Sequence, residues 1–224
     1  MQTIGLDEFL AANFPGGQGG AGPEEVVDLI TATRRRELLF RRWLPARVVR
    51  RLDRGFARSN TVHPDTASAL YSICRQSGAV TVFETGTYWG FSTCYLAMAL
   101  EGRAGAKVWT FDIDRKAGRH IPKSLAPRIK LVRGRPSCES MPPVLDHVVP
   151  DLFFQDSRHD YEGVRDELRL VAPRLTNSAV VLFHDFIEPA VRRAAQEELQ
   201  GFETFVIANG DPQQLGVAIR RARR

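Results

Sequence analysis

Residues 80–93, with the sequence VTVFETGTYWGFST, form the first pattern in this chain that could do chemistry. Glu84 stands at the end of an apolar run, and Gly86 and Gly90 follow it four residues apart. Glycine allows unusual backbone angles and lets a ligand approach the main chain closely. The free N–H groups at the start of the following helix attract a polar ligand. The pattern therefore predicts a nucleotide-like cofactor at this turn, within reach of the Glu84 carboxylate.

A second group of polar side chains follows two later apolar runs. The segment DLFFQDSRHDYEGV places Asp156 and His159 three residues apart, and the run AVVLF ends in His184 and Asp185. An imidazole with a near-neutral pKa suits the task of a general base. For His159 the alternative is a structural histidine bonded to a neighbouring carboxylate.

The elements that would position these groups alternate between strand and helix patterns, with short connections. This alternation predicts an α/β fold, a parallel sheet with helices on both faces and ligands beyond the carboxyl ends of its strands. The last two strands read as an antiparallel hairpin around the turn 209–212. We expect strands at 81–83, 107–113, 129–132, 151–155, 179–183, 202–208 and 215–220, and helices at 65–76, 93–100, 161–175 and 188–199.

The glycine spacing excludes a dinucleotide fingerprint, because Tyr88 and Phe91 occupy positions where that fingerprint needs glycine. The order E-x-G-x-x-x-G-x-S, from Glu84 to Ser92, instead resembles the first motif of class I S-adenosylmethionine-dependent methyltransferases. Among these it is most similar to the small-molecule O-methyltransferases. Over residues 65–220, the strand pattern with its closing hairpin resembles their doubly wound, Rossmann-like, seven-stranded sheet.

The resemblance implies S-adenosyl-L-methionine as the cofactor. Asp112, at the end of the second strand, is expected to accept hydrogen bonds from the ribose, with Asp114 as the alternative. Both aspartates could instead cap the next helix. Tyr88 and Trp89 could shelter the sulfonium or simply pack together. The full set of expected cofactor-binding residues is Glu84, Gly86, Thr87, Tyr88, Gly90, Ser92, Asp112, Arg135, Ser137 and Asp156, with Arg135 and Ser137 beside the adenine.

The resemblance extends to the metal-dependent O-methyltransferases of the catechol and sugar or macrolide types. It implies that Asp156, His184 and Asp185 hold a divalent cation, Mg²⁺ or Mn²⁺, with Asp156 and His159 as the catalytic residues. His184 departs from the usual acidic residue, which leaves both the presence and the identity of a metal open. An imidazole ligand favours Mn²⁺, Fe²⁺ or Zn²⁺ over Mg²⁺.

These features predict an S-adenosylmethionine-dependent O-methyltransferase whose acceptor is a small hydroxylated molecule, such as a natural product, a sugar or a phenol. The first alternative is an RNA 2′-hydroxyl methyltransferase. The second is a non-catalytic regulatory protein that only binds S-adenosylmethionine. The identity of the acceptor is not readable from the sequence, because specificity depends on variable loops.

Length and composition indicate one catalytic domain. The 224 residues, 43% of them hydrophobic, suffice for one sizeable core. We expect a methyltransferase domain at 65–224 and an N-terminal helical extension at 1–64, with a Gly-rich linker at 14–25. The helical part at 26–60 would cover the acceptor site or form a homodimer contact.

The net charge of +5 comes largely from arginines in residues 34–58 and at the C-terminus. Apolar residues interleave the first run at helical spacing, which favours solvated faces of amphipathic helices over a nucleic-acid track, although nucleic acid is not excluded. No apolar run could cross a membrane, and the N-terminus does not resemble a signal peptide, so we expect a cytoplasmic protein. The three cysteines read as buried free thiols.

Overall fold

The computed structural model describes residues 1–16 and 62–220. Eight strands form one sheet in the order β1-β7-β8-β6-β5-β2-β3-β4. All neighbouring strands are parallel except β8, which runs antiparallel to both β6 and β7. The strands are β1 Gln2–Gly5, β2 Thr81–Thr85, β3 Lys107–Asp112, β4 Ile129–Arg133, β5 Leu152–Gln155, β6 Val180–Phe183, β7 Phe202–Ala208 and β8 Leu215–Arg220.

Seven α-helices accompany this sheet within the described residues. Two short 3₁₀ turns, Ala126–Arg128 and Ala172–Arg174, lie before β4 and after α6. The helices are α1 Leu6–Asn13, α2 Pro64–Gln76, α3 Phe91–Ala99, α4 Ser137–Ser140, α5 Pro142–Leu145, α6 Tyr161–Val171 and α7 Pro189–Glu198.

The core has two layers because successive side chains of a strand point to opposite faces of the sheet. In β2, Val82 packs with residues of α2 and α3, whereas Phe83 packs on the other face with residues of α6 and α7. The central strands β5 and β6 are buried at every position, as expected of parallel strands covered on both faces. The centre of the sheet is therefore packed on both faces, and its strand ends lie at the edge of this core.

The α/β fold class and the doubly wound, Rossmann-like sheet with its closing hairpin are confirmed. Each of the seven predicted strands is present, with ends shifted by at most two residues, and the hairpin strands have the predicted bounds. The structure adds an eighth strand, β1, which pairs with β7 through Gln2–Gly5 and corrects the seven-stranded prediction. Four residues carry too little periodicity to be recognised as a strand, so only pairing reveals it.

Residues 2–13, the first part of the predicted N-terminal helical extension, pack against the sheet. Phe9 of α1 is fully buried, and its ring lies 5.4 Å from the ring of Phe205 in β7. Ile4 and Leu10 belong to the same core layer. Most of the predicted linker, and all of the predicted helical segment at 26–60, lie outside the described residues.

Two helices begin one or two residues before their predicted starts, and one cysteine is more exposed than expected. Helix α2 begins at Pro64, and the ring of its N-cap His63 accepts a hydrogen bond from the Asp65 N–H. Helix α3 begins at Phe91 with Gly90 as its N-cap. Cys74 and Cys94 are buried thiols as expected, but Cys138 is only half-buried. Within the described residues, no helix has the length and apolar character needed to cross a lipid bilayer.

Candidate active site

The carboxyl ends of β2, β3, β5 and β6 lie along one edge of the sheet, because parallel pairing keeps these strands in register. A cavity of about 600 Å³ opens along this edge. We call it the sheet-edge cavity. Its lining residues are Gly86, Tyr88, Phe111, Asp112, Ile113, Pro136, Ser137, Asp156, Ser157, Arg158, His159, His184, Asp185 and Gln213.

The turn after β2 depends on glycine at its first position. Gly86 has a φ of +88°, and a Cβ built there would lie 2.0 Å from the carbonyl oxygen of Asp156. The turn of β2 therefore contacts the turn of β5 through bare backbone. Gly90, with a φ of +93°, closes the turn by donating its N–H to the Thr87 carbonyl at 2.8 Å.

Five of the residues expected to bind the cofactor line the sheet-edge cavity, and five do not. The lining residues are Gly86, Tyr88, Asp112, Ser137 and Asp156. Thr87 and Ser92 border a separate small pocket of about 20 Å³, which shares Gly86, Tyr88 and Asp156 with the sheet-edge cavity. Arg135 is exposed and does not line the cavity, and Gly90 is the N-cap of helix α3.

Glu84 lies beneath the turn instead of in the cavity. Its side chain is fully buried on the α3 face of β2, where the Thr93 hydroxyl donates to Oε2 at 2.5 Å. Oε1 has no hydrogen-bond partner among the described residues. Burial raises the pKa of Glu84 to about 7, and nearby hydroxyl groups oppose this effect only in part. In this structure Glu84 links strand β2 to helix α3.

Asp112 stands at the end of β3 with its carboxylate at the cavity wall. One oxygen accepts the Tyr88 N–H and the other accepts the Asp114 N–H, both at 2.7 Å. A carboxylate has about four lone-pair sites, so it can still accept hydrogen bonds from a ligand. Asp114, the alternative, accepts the Lys116 N–H and does not line the cavity.

The aromatic pair of the turn has two different environments. Tyr88 is 42% exposed at the cavity and stacks on Trp89, with ring centroids 5.0 Å apart. The Arg119 guanidinium lies 4.6 Å from the centroid of the Trp89 ring. Tyr88 is therefore the aromatic residue of the pair that can contact a ligand in the cavity.

The structure brings Asp156, His159, His184 and Asp185 together at the other end of the cavity. One ligand atom from each residue can be chosen so that all four lie within 4.8 Å of one another. We call this set the acid–histidine cluster. Nδ1 of His184 lies 3.0 Å from Oδ1 of Asp156 and 2.9 Å from Oδ2 of Asp185. Nδ1 of His159 lies 3.1 Å from the same Asp185 oxygen, and its Nε2 lies 3.6 Å from Asp156.

The two carboxylates of the cluster favour the protonated form of both imidazoles. Burial alone would lower the pKa of His184, but its hydrogen bonds to Asp156 and Asp185 outweigh burial and raise the pKa to about 10. The carboxylates of Asp156 and Asp185 raise the pKa of His159 as well. Burial alone would raise the pKa of Asp185, but the contact with His184 outweighs burial and lowers this pKa. The cluster can therefore hold a proton, or a cation in its place.

The sequence analysis missed the residues that the final hairpin brings to the site. Because β8 runs antiparallel to β6, the loop before β8 lies beside the end of β6, where His184 follows Phe183. Gln213 of that loop lines the cavity, and Oδ2 of Asp211 lies 3.9 Å from Nε2 of His184. The predicted hairpin was the feature that pointed to Asp211 and Gln213, because the pairing of its strands determines where their loop lies.

The contact between the β2 and β5 turns predicts a large difference between two alanine substitutions. Gly78 also has a positive φ, +74°, but open space surrounds its Cβ position. We expect Gly78→Ala to destabilise by about 1–2 kcal/mol through backbone strain alone. Gly86→Ala should cost roughly a further 1–3 kcal/mol, because its methyl group displaces the Asp156 carbonyl. Denaturant unfolding measures both, and equal losses would contradict the contact.

The buried Glu84 predicts a pH-dependent stability. Its folded pKa of about 7 lies above the unfolded value of 4.5, so between these values the folded state binds the extra proton. The contribution of Glu84 is therefore fully present below pH 4.5 and is lost as pH rises to 7. The unfolding free energy of Glu84→Gln, taken relative to that of wild type, should therefore rise by roughly 3 kcal/mol as the pH increases from 4.5 to 7. If this difference stays constant across the pH range, Glu84 is not a buried carboxyl group with a raised pKa.

Residues 83–186 match a family model described as a methyltransferase domain. No curated protein matches this sequence. Among solved structures, the chain is similar to the O-methyltransferase TomG from Streptomyces achromogenes, which is involved in tomaymycin synthesis and was solved in complex with SAM. The identity is 18%, the TM-score is 0.63, and the match covers 75% of this chain and 86% of TomG.

Two further structures extend over nearly the whole chain. An O-methyltransferase from Bacillus cereus, solved with SAH, is 16% identical with a TM-score of 0.62 and coverages of 96% and 97%. Cofactor-bound Rv0187 from MTB is 19% identical with a TM-score of 0.61 and coverage of 97% on both sides. At these identities the likeness concerns the fold. Residues 83–186 thus match a methyltransferase domain, and the described residues share the Rossmann-like fold of solved O-methyltransferases.

Proposed function

We propose that this chain transfers a methyl group from S-adenosyl-L-methionine to a hydroxyl group of a small molecule. One observation carries the proposal: the sheet-edge cavity joins the glycine turn and Asp112 at one end to the acid–histidine cluster at the other. A methyl donor and a group that removes a proton would thus meet in a single space. Similar structures described as O-methyltransferases with bound SAM or SAH support the same function.

The end of the cavity near β3 suits a nucleoside. Ile113 is 68% exposed and Tyr88 is 42% exposed, and both present apolar surface to the cavity. A flat aromatic base would cover such surface, while Asp112 accepts hydrogen bonds from ribose hydroxyls. A volume of about 600 Å³ lies within the usual range for ligand sites, roughly 300–1,000 Å³. When bound, S-adenosylmethionine supplies an electrophilic methyl group on its sulfonium.

His159 is the proposed general base at the other end. A hydroxyl is a weak nucleophile at neutral pH, so its proton must be removed as the methyl group is transferred. The His159 side chain is 37% exposed at the cavity, and carboxylates of Asp156 and Asp185 lie on either side of its ring. These carboxylates stabilise the imidazolium that forms when His159 accepts the proton.

The acid–histidine cluster also fits a divalent cation. Two carboxylates and two imidazoles converge there, and Nε2 of His159, which faces Asp156, is buried without a hydrogen-bond partner among the described residues. Asp156, His184 and Asp185 would hold the ion, with His159 beside it. This mixed oxygen and nitrogen set suits Mn²⁺ or Fe²⁺ better than Mg²⁺. A bound cation would supply Lewis-acid stabilisation of the acceptor oxygen.

The central experiment combines SAH titration with methyl transfer from labelled S-adenosylmethionine to a panel of phenols, sugars and hydroxylated natural products. We expect SAH binding and transfer to at least one hydroxyl, with loss of transfer in EDTA and recovery with Mn²⁺ if the cation takes part. Tight SAH binding without transfer to any acceptor would favour the non-catalytic regulatory protein. Transfer only to RNA would favour a 2′-hydroxyl methyltransferase.

Substitution of His159 separates proton transfer from cofactor binding. We expect His159→Ala to lower kcat about 10²- to 10⁴-fold, the usual contribution of a general base. The Kd for SAH should stay within about twofold, because His159 lies at the acceptor end of the cavity. His147→Ala, at an exposed position outside the cavity, is the matched control. Unchanged kcat in His159→Ala would remove His159 from the mechanism.

A further inference from the structure

Glu167 is a buried carboxylate behind the wall of the sheet-edge cavity. It belongs to helix α6 and is 1% exposed. Its Oε2 accepts the hydroxyl of Thr85 at 2.9 Å, and its Oε1 accepts the hydroxyl of Ser157 at 2.6 Å. The Ser137 hydroxyl also donates to Oε1. One side chain thus binds three hydroxyl groups from three separate segments.

Two of these three segments form part of the cavity wall, and the third adjoins the glycine turn. Thr85 ends β2, Ser137 begins the short helix α4 after β4, and Ser157 lies in the turn after β5. Ser137 and Ser157 line the cavity, whereas Thr85 and Glu167 do not. The Glu167 carboxylate therefore holds two parts of the cavity wall from the side that a ligand cannot touch.

The position of Glu167 in its helix imposes a desolvation cost on its carboxylate. Val164, Leu168 and Val171 form the buried apolar stripe of α6, and Glu167 lies on that same face. An ionised carboxylate in such surroundings is stable only when hydrogen bonds replace its water. Burial raises the pKa of Glu167, and its hydroxyl partners oppose the rise. The carboxylate thus depends on the three hydroxyl groups as donors, and the hydroxyl groups depend on the carboxylate as their acceptor.

We propose that Glu167 is a positioning residue that shapes the wall of the cofactor site through Ser137 and Ser157. This inference rests on the proposed function, since it assumes that S-adenosylmethionine occupies the cavity. Without the carboxylate, the two serine hydroxyls lose their common acceptor, and the segments that carry them can move apart. The cofactor must then order these segments when it binds, which weakens its affinity.

The test measures the Kd for SAH by calorimetry and the Tm of the SAH-free protein in matched variants. Glu167→Met keeps the length and apolar contacts of the side chain but removes both acceptor oxygens. Glu167→Gln retains one acceptor oxygen, which can still bind both serine hydroxyls. Thr85→Val is the control, because it removes the hydrogen bond on the side of the carboxylate that faces away from the two serines.

We expect Glu167→Met to weaken SAH binding about tenfold, a loss equivalent to one or two hydrogen bonds. Glu167→Gln should restore most of the affinity. Thr85→Val should lower Tm while its Kd for SAH stays within about twofold of wild type. If Glu167→Met does not fold, Glu167→Asp replaces it, since a shorter side chain withdraws the carboxylate from both serines and should also weaken binding.

The outcomes separate this inference from the proposed function. Wild-type protein that fails to bind SAH would contradict the proposed function itself. Wild-type protein that binds SAH, with Glu167→Met or Glu167→Asp of equal affinity, would overturn only the positioning role. Equal losses of affinity in Glu167→Met and Thr85→Val would also overturn it, because they would indicate a general effect of stability.

Discussion

The candidate site depends on the close approach of two backbone turns, at the ends of β2 and β5. A side chain at Gly86 would place its Cβ 2.0 Å from the Asp156 carbonyl oxygen, so these turns can meet only where residue 86 has no side chain. Their contact brings Asp156 beside the glycine turn, and β5 pairs in turn with β6, which leads to His184 and Asp185. Both ends of the sheet-edge cavity are thus positioned by strand pairing and one glycine. A shift of either turn would separate the nucleoside end from the acid–histidine cluster.

The two ends of the cavity differ in their electrostatic character. At the β3 end, the backbone N–H groups of Tyr88 and Asp114 donate to the Asp112 carboxylate and hold it in place. At the β6 end, two carboxylates and two imidazoles compensate one another, and the raised pKa of His184 reflects this balance. The first arrangement suits recognition of hydroxyl groups, and the second suits movement of a proton or retention of a cation. Buried carboxylates at Glu84 and Glu167 support the two faces of the β2 turn from behind.

Much of the fold and part of the site could be predicted from the sequence because strand ends in a parallel sheet share one edge. Asp112, Asp156 and His184 each follow an apolar run, so their proximity to the cavity follows from the strand order. Glu84 was expected in the cavity for the same reason, but it lies one residue before the strand end. Alternation along β2 therefore turns its side chain toward α3 and away from the cavity. Strand β1 and the role of Glu167 could not be predicted, since both depend on contacts between segments distant in sequence.

The sequence by itself determined the α/β alternation, the closing hairpin and the glycine turn with its methyltransferase-like motif, because these are local patterns of periodicity and residue type. Only the tertiary structure decided which polar residues share the cavity. It placed Asp112 in the cavity wall, buried Glu84, and put Thr87 and Ser92 in a separate small pocket. It also brought Asp211 and Gln213 beside the end of β6. The physical reason is that a side chain's surroundings depend on strand register and on the face of the sheet to which it points. Neither property is contained in the residue type alone.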